Sequence, residues 1–132
     1  INKQLLELLL ENGYTPVLCV PLIDENNFAI NSENDDIIAL LQTEMKAEKV
    51  ISLIEAPGFL MDKNDPASLV AKMSKSELEA MEEKVEGRMK RKILAIRKLF
   101  GEGRGETTVI ISDGRTEHPI LDALAGKGTT IS

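Results

Sequence analysis

Apolar residues fall into two kinds of run along the 132-residue chain. Thr15–Ile23, Lys49–Ile54 and Thr107–Ser112 are short and almost continuously apolar, which predicts strands buried on both faces. Between them, apolar positions return every three or four residues, the spacing of amphipathic helices. The first helix runs from Asn2, a suitable cap, to Asn12-Gly13, with Leu5, Leu6, Leu8 and Leu9 as its apolar face. Ser32 or Asn34 caps a second helix reaching about Lys46, striped by Ile37, Leu40, Leu41 and Met45. Ser74 and Glu77 have the spacing of a capping box for a third, which ends near Glu83. Val85, Met89, Ile93, Ile96 and Phe100 mark a fourth over residues 86–100, and Pro119–Ala125 is a short fifth. Phe28–Ile30 reads as a hairpin piece, Phe59–Met61 as a short strand and Thr129–Ser132 as the last strand. Helices alternating with continuous apolar strands predict an α/β fold, a mainly parallel open sheet with helices on both faces.

Charge sharpens this picture. The net charge of −6 argues against a general nucleic-acid surface. Yet seven Lys or Arg residues fall between Lys84 and Lys98, with Glu86 the lone acid among them. That basic run is either a solvated helix face or a local site for phosphates or an acidic partner. Cys19, the single cysteine, lies inside an apolar run and is expected to be a small buried hydrophobe, as in a reduced, cytoplasmic protein. One histidine, His118, does not make a histidine metal site or a histidine triad. No apolar run approaches a membrane span.

Lys92 stands out within the basic run. It follows Met89 by three residues and precedes Ile96 by four, at the edge of the apolar stripe. A lysine there snorkels, pairs with an acid or reaches a bound anion. The three expected strands end in Asp24, Glu55 and Asp113, and the second helix starts at Asp35. Ligands of such sheets bind beyond the carboxyl ends of the strands. Four acids on one rim repel one another unless cations sit among them, and Lys92 and Mg²⁺ are the candidates. Gly58 and Gly114 would let backbone approach a ligand there. Asp35 and Asp36 equally suit compensation of a helix N-terminus. No GxxxxGK[ST] loop and no GxGxxG after a strand occurs, so phosphate would be held by charge rather than by either cradle.

The segments Ile30-Asn-Ser-Glu-Asn-Asp35, Ile51 to Asp62, Gly87-Arg-Met-Lys-Arg-Lys92, Ile111-Ser-Asp-Gly-Arg-Thr-Glu-His118 and Gly128-Thr-Thr-Ile131 occur in that order. Together they resemble the C-terminal, nucleotide-binding half of the amino-acid kinase family, most nearly its archaeal LysW-aminoadipate/LysW-glutamate kinases and its acetylglutamate kinases. The resemblance spans nearly the whole chain. It implies ATP-dependent phosphorylation, with Mg²⁺, of the side-chain carboxylate of a carrier-linked or N-acylated acidic amino acid, in lysine or arginine biosynthesis. The alternatives are acetylglutamate kinase activity or, for these residues alone, a non-catalytic nucleotide-binding module. By the same resemblance Lys92 stabilises the transferring phosphoryl group, Asp35 orients catalytic lysines and Asn31 holds the substrate. Glu55, Gly58, Phe59 and Leu60 form the nucleotide turn, and Met89 is a second nucleotide contact. Glu55 stands where the family usually has aspartate, Gly87-Arg88 where it often has a glycine pair, and Glu33 where it has a second asparagine. The family's substrate-binding N-terminal half, with its second lysine and most of a homodimer interface, is not in these residues. The chain is therefore expected to be part of a longer polypeptide that meets its substrate on an acidic carrier protein.

Overall fold

The computed structural model describes residues 1–62, 64–83, 87–100 and 107–132, and at positions 87–89 and 92 the backbone alone. The glycine-rich connector 101–105 and the expected opening of the basic helix at 84–86 lie outside the described residues. The elements run α1 (Lys3–Glu11), β1 (Leu22–Ile23), β2 (Ala29–Ile30), α2 (Asn34–Met45), β3 (Lys49–Ile54), β4 (Lys72–Met73), α3 (Lys75–Glu82), α4 (Gly87–Lys98), β5 (Thr108–Asp113), α5 (Pro119–Leu124) and β6 (Thr129–Ile131).

Four strands form the sheet, in the order β3-β5-β6-β4. β3 and β5 are parallel over their whole length, from Lys49 opposite Thr108 to Ile54 opposite Asp113. β6 runs antiparallel to β5 and parallel to β4. Side chains alternate across a sheet, and this register puts Val50, Ser52, Ile54, Val109, Ile111, Thr129 and Ile131 on one face. Helices α3 and α4 cover that face: Leu78, Ile93 and Leu99 pack with Met73, Val109, Ile111 and Ile131 in the core cluster, and Leu78 and Ile93 are wholly buried. Helix α5 packs against β5 and β3, and its buried Ala123 goes with Ile110 on the opposite face. The α/β architecture, the mostly parallel sheet and its helical layers therefore stand as the apolar pattern predicts.

Local chemistry explains the helix boundaries. Asn2 caps α1 by accepting the Leu5 N–H (3.0 Å). At α3, Ser74 accepts the Glu77 N–H while the Glu77 carboxylate accepts the Ser74 N–H (2.7 Å), a complete capping box. The N-cap of α2 is Glu33 rather than Ser32 or Asn34, and its side chain makes no capping bond. Asp35 and Asp36 in the first turn supply the negative charge instead.

The first expected strand is the principal departure. Only Leu22–Ile23 of the run Thr15–Ile23 is strand, and it forms a separate two-stranded hairpin with Ala29–Ile30. Residues 15–20 have no ladder partner among the described residues, and Val17 is 88% exposed. An apolar run becomes a strand only where another strand takes up its backbone groups. Cys19 is accordingly exposed, not buried. Likewise α1 buries only Leu6 and α2 only Gln42, leaving Leu5, Leu8, Ile38 and Leu40 exposed. Gln42 donates through Nε2 to Thr107 Oγ1, joining α2 to the start of β5.

Candidate functional site

Because β3 and β5 are parallel and in register, their chains leave the sheet side by side, at Glu55 and at Gly114. The Gly114 N–H donates to the Ile54 carbonyl (2.8 Å) and ties the two exits together. After Glu55 the chain turns through Gly58, and Phe59 and Leu60 then run beside Leu69 and Val70: Leu60 bridges Leu69, and the Val70 N–H donates to the Phe59 carbonyl (3.0 Å). Gly58 is a glycine for reasons of space. A Cβ there would lie 2.7 Å from Leu69 Cδ1, 2.8 Å from Thr129 Oγ1 and 3.0 Å from the Thr129 nitrogen.

Beside this turn lies a cleft of about 400 Å³, lined by Asp35, Ser52, Ile54, Glu55, Ala56, Gly58, Phe59, Leu60, Ala95, Ile96 and Ile111. Its walls come from the N-terminus of α2, the carboxyl ends of β3 and β5, the turn and α4. Most of the lining is apolar, with polar groups only at Asp35, Ser52 and Glu55, a composition suited to a small ligand with one flat apolar part. Five of the eight residues expected at the site, Asp35, Glu55, Gly58, Phe59 and Leu60, thus share one cleft. Lys92 and Met89 belong to α4, and Lys92 precedes the lining residues Ala95 and Ile96 by three and four positions. The side chains of both lie outside the described residues. Asn31 is exposed between β2 and α2 and does not line the cleft.

The expected rim of four acids is smaller than predicted. Asp24 does not line the cleft: its Oδ1 accepts the N–H groups of Asn26 (2.9 Å) and Phe28 (2.8 Å) in the turn of the β1–β2 hairpin, which is not part of the four-stranded sheet. Asp113 is held by Arg115, which donates through Nε (2.8 Å), Nη2 (2.7 Å) and its own N–H (3.0 Å). The guanidinium bonds first, and the backbone bond second, pull the Asp113 pKa down to about 2. Arg115 is raised in turn, chiefly by Asp113 and in lesser part by the charge of Glu55. At the other wall, Lys98 Nζ donates to Asp36 (2.6 Å), and its pKa rises through that bond, with a smaller contribution from the charge of Asp35. Cations do sit among the acids, and those described are Arg115 and Lys98.

Of the other lining residues, Ala56 lies within the expected turn, while Ser52, Ile54, Ala95, Ile96 and Ile111 were not expected at the site. Ser52 and Ile111 were detectable in principle, since parallel register puts them opposite each other on one face. Among the described residues no group of three or more His, Cys, Asp or Glu side chains is arranged to hold a metal ion. No helix among them is long and apolar enough to cross a membrane.

Residues 1–112 match the amino acid kinase family. The chain belongs to that family. Across 134 aligned residues it is 42% identical to the [LysW]-aminoadipate kinase of Thermus thermophilus, covering 99% of this chain and 49% of that protein. It is 38% identical to the [LysW]-aminoadipate kinase of Deinococcus radiodurans, covering 97% and 43%. With the acetylglutamate kinase of Syntrophomonas wolfei it shares 34% identity, covering 92% and 42%. The chain therefore spans about half the length of the curated relatives it matches. Among solved structures, the N-acetylglutamate synthase of Neisseria gonorrhoeae, complexed with coenzyme A and L-arginine, superposes with a TM-score of 0.79 at 22% identity over 99% of this chain and 30% of that one. A Streptococcus mutans protein, smu.665, superposes at 0.71 and 22% identity, covering 100% and 48%. At those identities the likeness establishes the amino acid kinase fold.

Proposed function

We propose that this chain is the nucleotide-binding half of an amino acid kinase that transfers the γ-phosphoryl group of ATP to the side-chain carboxylate of an acidic amino acid carried on a LysW-like protein. The observation that carries the reading is the single cleft joining Asp35, Glu55 and the Gly58–Leu60 turn at the carboxyl ends of β3 and β5. The apolar lining from Ile54, Phe59, Leu60 and Ile96 suits an adenine face, and the carboxylates of Asp35 and Glu55 suit ribose hydroxyls or a cation carried by the phosphates. In the transfer, a substrate carboxylate oxygen bonds to the γ-phosphorus, the bond to the bridging oxygen breaks, and ADP departs with that electron pair. The product is an acyl phosphate. Such a reaction needs alignment and charge neutralisation more than covalent help. Lys92 is assigned the neutralising cation, from its place one turn before Ala95 and Ile96 on α4. Asp35 is assigned to orient it, Asn31 to hold the substrate and Met89 to contact the nucleotide. Mg²⁺ fits as an ion delivered with ATP, since one or two carboxylates such as Asp35 and Glu55 suffice when phosphates supply the other oxygens.

Calorimetric titration of the 132-residue chain with ATP·Mg²⁺ tests the nucleotide reading. Saturable one-to-one binding that weakens in Leu60→Asp is expected, and absence of binding overturns it. Turnover is tested in a polypeptide that also supplies the substrate-binding half, trapping the acyl phosphate with hydroxylamine. Carrier-linked aminoadipate or glutamate should be consumed in preference to free acetylglutamate, and Lys92→Met should abolish the product. The similarity to acetylglutamate kinases supports a second reading. Preference for acetylglutamate in the same assay would select it, and no product with any of these substrates would leave a nucleotide-binding module.

A further inference from the structure

Thr129 is wholly buried, and it is the first residue of β6. Its hydroxyl makes two hydrogen bonds. It accepts the Phe59 N–H (2.8 Å) and donates to the Val70 carbonyl (2.6 Å). The two partners lie 70 and 59 residues away in sequence and belong to different segments, the cleft turn and the stretch before β4. A further constraint comes from Gly58, whose α-carbon faces the same hydroxyl so closely that a Cβ would lie 2.8 Å from it. One oxygen atom thus joins β6, the wall of the cleft and the segment that pairs with that wall. Phe59 is buried, so its N–H depends on this hydroxyl, while its carbonyl accepts the Val70 N–H (3.0 Å). Val70, in turn, donates to Phe59 and accepts from Thr129, so the three residues close a ring of hydrogen bonds behind the lining of the cleft. Loss of the hydroxyl would leave a buried donor, the Phe59 N–H, and a half-buried acceptor, the Val70 carbonyl, without their shared partner, and the wall would relax rather than bear both.

We infer that Thr129, which does not line the cleft itself, is a positioning residue that sets the shape of the Gly58–Leu60 wall and through it the affinity for nucleotide. The inference rests on the nucleotide reading of the cleft and adds a residue to it. Thr129→Val keeps the volume and removes the hydroxyl, Thr129→Ser keeps the hydroxyl, and Ile110→Val alters the buried opposite face of the same sheet. Titration with ATP·Mg²⁺ should show about tenfold weaker binding for Thr129→Val, the equivalent of ~1.4 kcal/mol. Thr129→Ser, which keeps both hydrogen bonds, should stay within about threefold of the parent, and Ile110→Val should be unchanged. Amide exchange should accelerate at Phe59 in the valine variant alone. Equal affinity in Thr129→Val, or equal weakening in Ile110→Val, overturns the inference. Should the valine variant fold poorly, the serine variant decides, because a tenfold loss there would assign the effect to the methyl group. If the parent chain binds no ATP, the nucleotide reading fails. Phe59 exchange then decides alone, and an unchanged rate refutes the hold on the wall.

Discussion

An alanine at position 128 would place its Cβ 2.2 Å from the Ile111 carbonyl oxygen, 3.0 Å from Ser112 Cα and 3.1 Å from the Ile111 carbonyl carbon. All three are backbone atoms of β5, so no side-chain rotation relieves the contact. Gly128 also has φ +107, a conformation that costs a residue with a Cβ on the order of 1–3 kcal/mol. Relief requires β6 to move off β5 beside the Ile111–Thr129 pairing, and each buried hydrogen bond left unmade there costs ~1–3 kcal/mol. With one hydrogen bond lost, the two contributions together come to ~2–6 kcal/mol, a large part of the ~5–15 kcal/mol that holds a typical domain folded. Gly126 provides the control. Its φ is +89, but a Cβ there meets nothing within 4 Å, so Gly126→Ala carries the conformational cost without the clash. Equilibrium unfolding in urea, followed by far-ultraviolet circular dichroism, should give a much lower midpoint for Gly128→Ala than for Gly126→Ala at an unchanged slope. Coincident midpoints for the two variants would refute the reasoning, because close approach of β6 to β5 would then carry no energy.

Leu78→Ala empties a fully buried site between α3 and the sheet and should cost ~2–5 kcal/mol by urea unfolding. Ser74→Ala removes the hydroxyl half of the capping box and should cost ~1 kcal/mol in the same assay. The Asp113 pKa lies at about 2 when folded, below the ordinary 3.8, so the Asp113–Arg115 pair stabilises fully above the unfolded value and loses its effect as pH falls from about 4 towards 2. The urea midpoint of the parent should therefore exceed that of Arg115→Ala near neutrality, and the gap should shrink across that window; a constant gap would contradict the assignment. Lys90 and Arg91 are exposed on α4, and reversing both to Glu should weaken use of a substrate on an acidic carrier while sparing free acetylglutamate. Equal effects on both substrates would remove the carrier from the proposal.

What could be read in advance depended on how far apart the deciding atoms lie. Lys49–Ile54 was legible as a strand because every residue of the run meets a β5 partner. The Ser74–Glu77 box was legible because both of its bonds close within three residues. The run at residues 15–20 misled because apolar character records a preference for burial, and a strand needs a partner that pattern cannot name. The same limit put Cys19 inside and assigned Asp24 to the rim. β4 escaped notice because two residues, Lys72 and Met73, are too few to alternate. Within the cleft, Asp35, Glu55 and Gly58 were visible as charge and glycine at element ends. Ile96 looked like ordinary core, and Thr129 acts on partners that only the fold brings near.

The reversed direction of β6 has a mechanical consequence. In a wholly parallel sheet, the end where ligands sit is furnished by connections leaving the strands, which are the pliable parts of the molecule. Here one strand enters the sheet at that end, so Thr129 arrives opposite Ile111 as part of the ladder itself. The turn around Gly58 leans on a fixed member instead of on another loop, and a bound molecule would press against something as stiff as the interior.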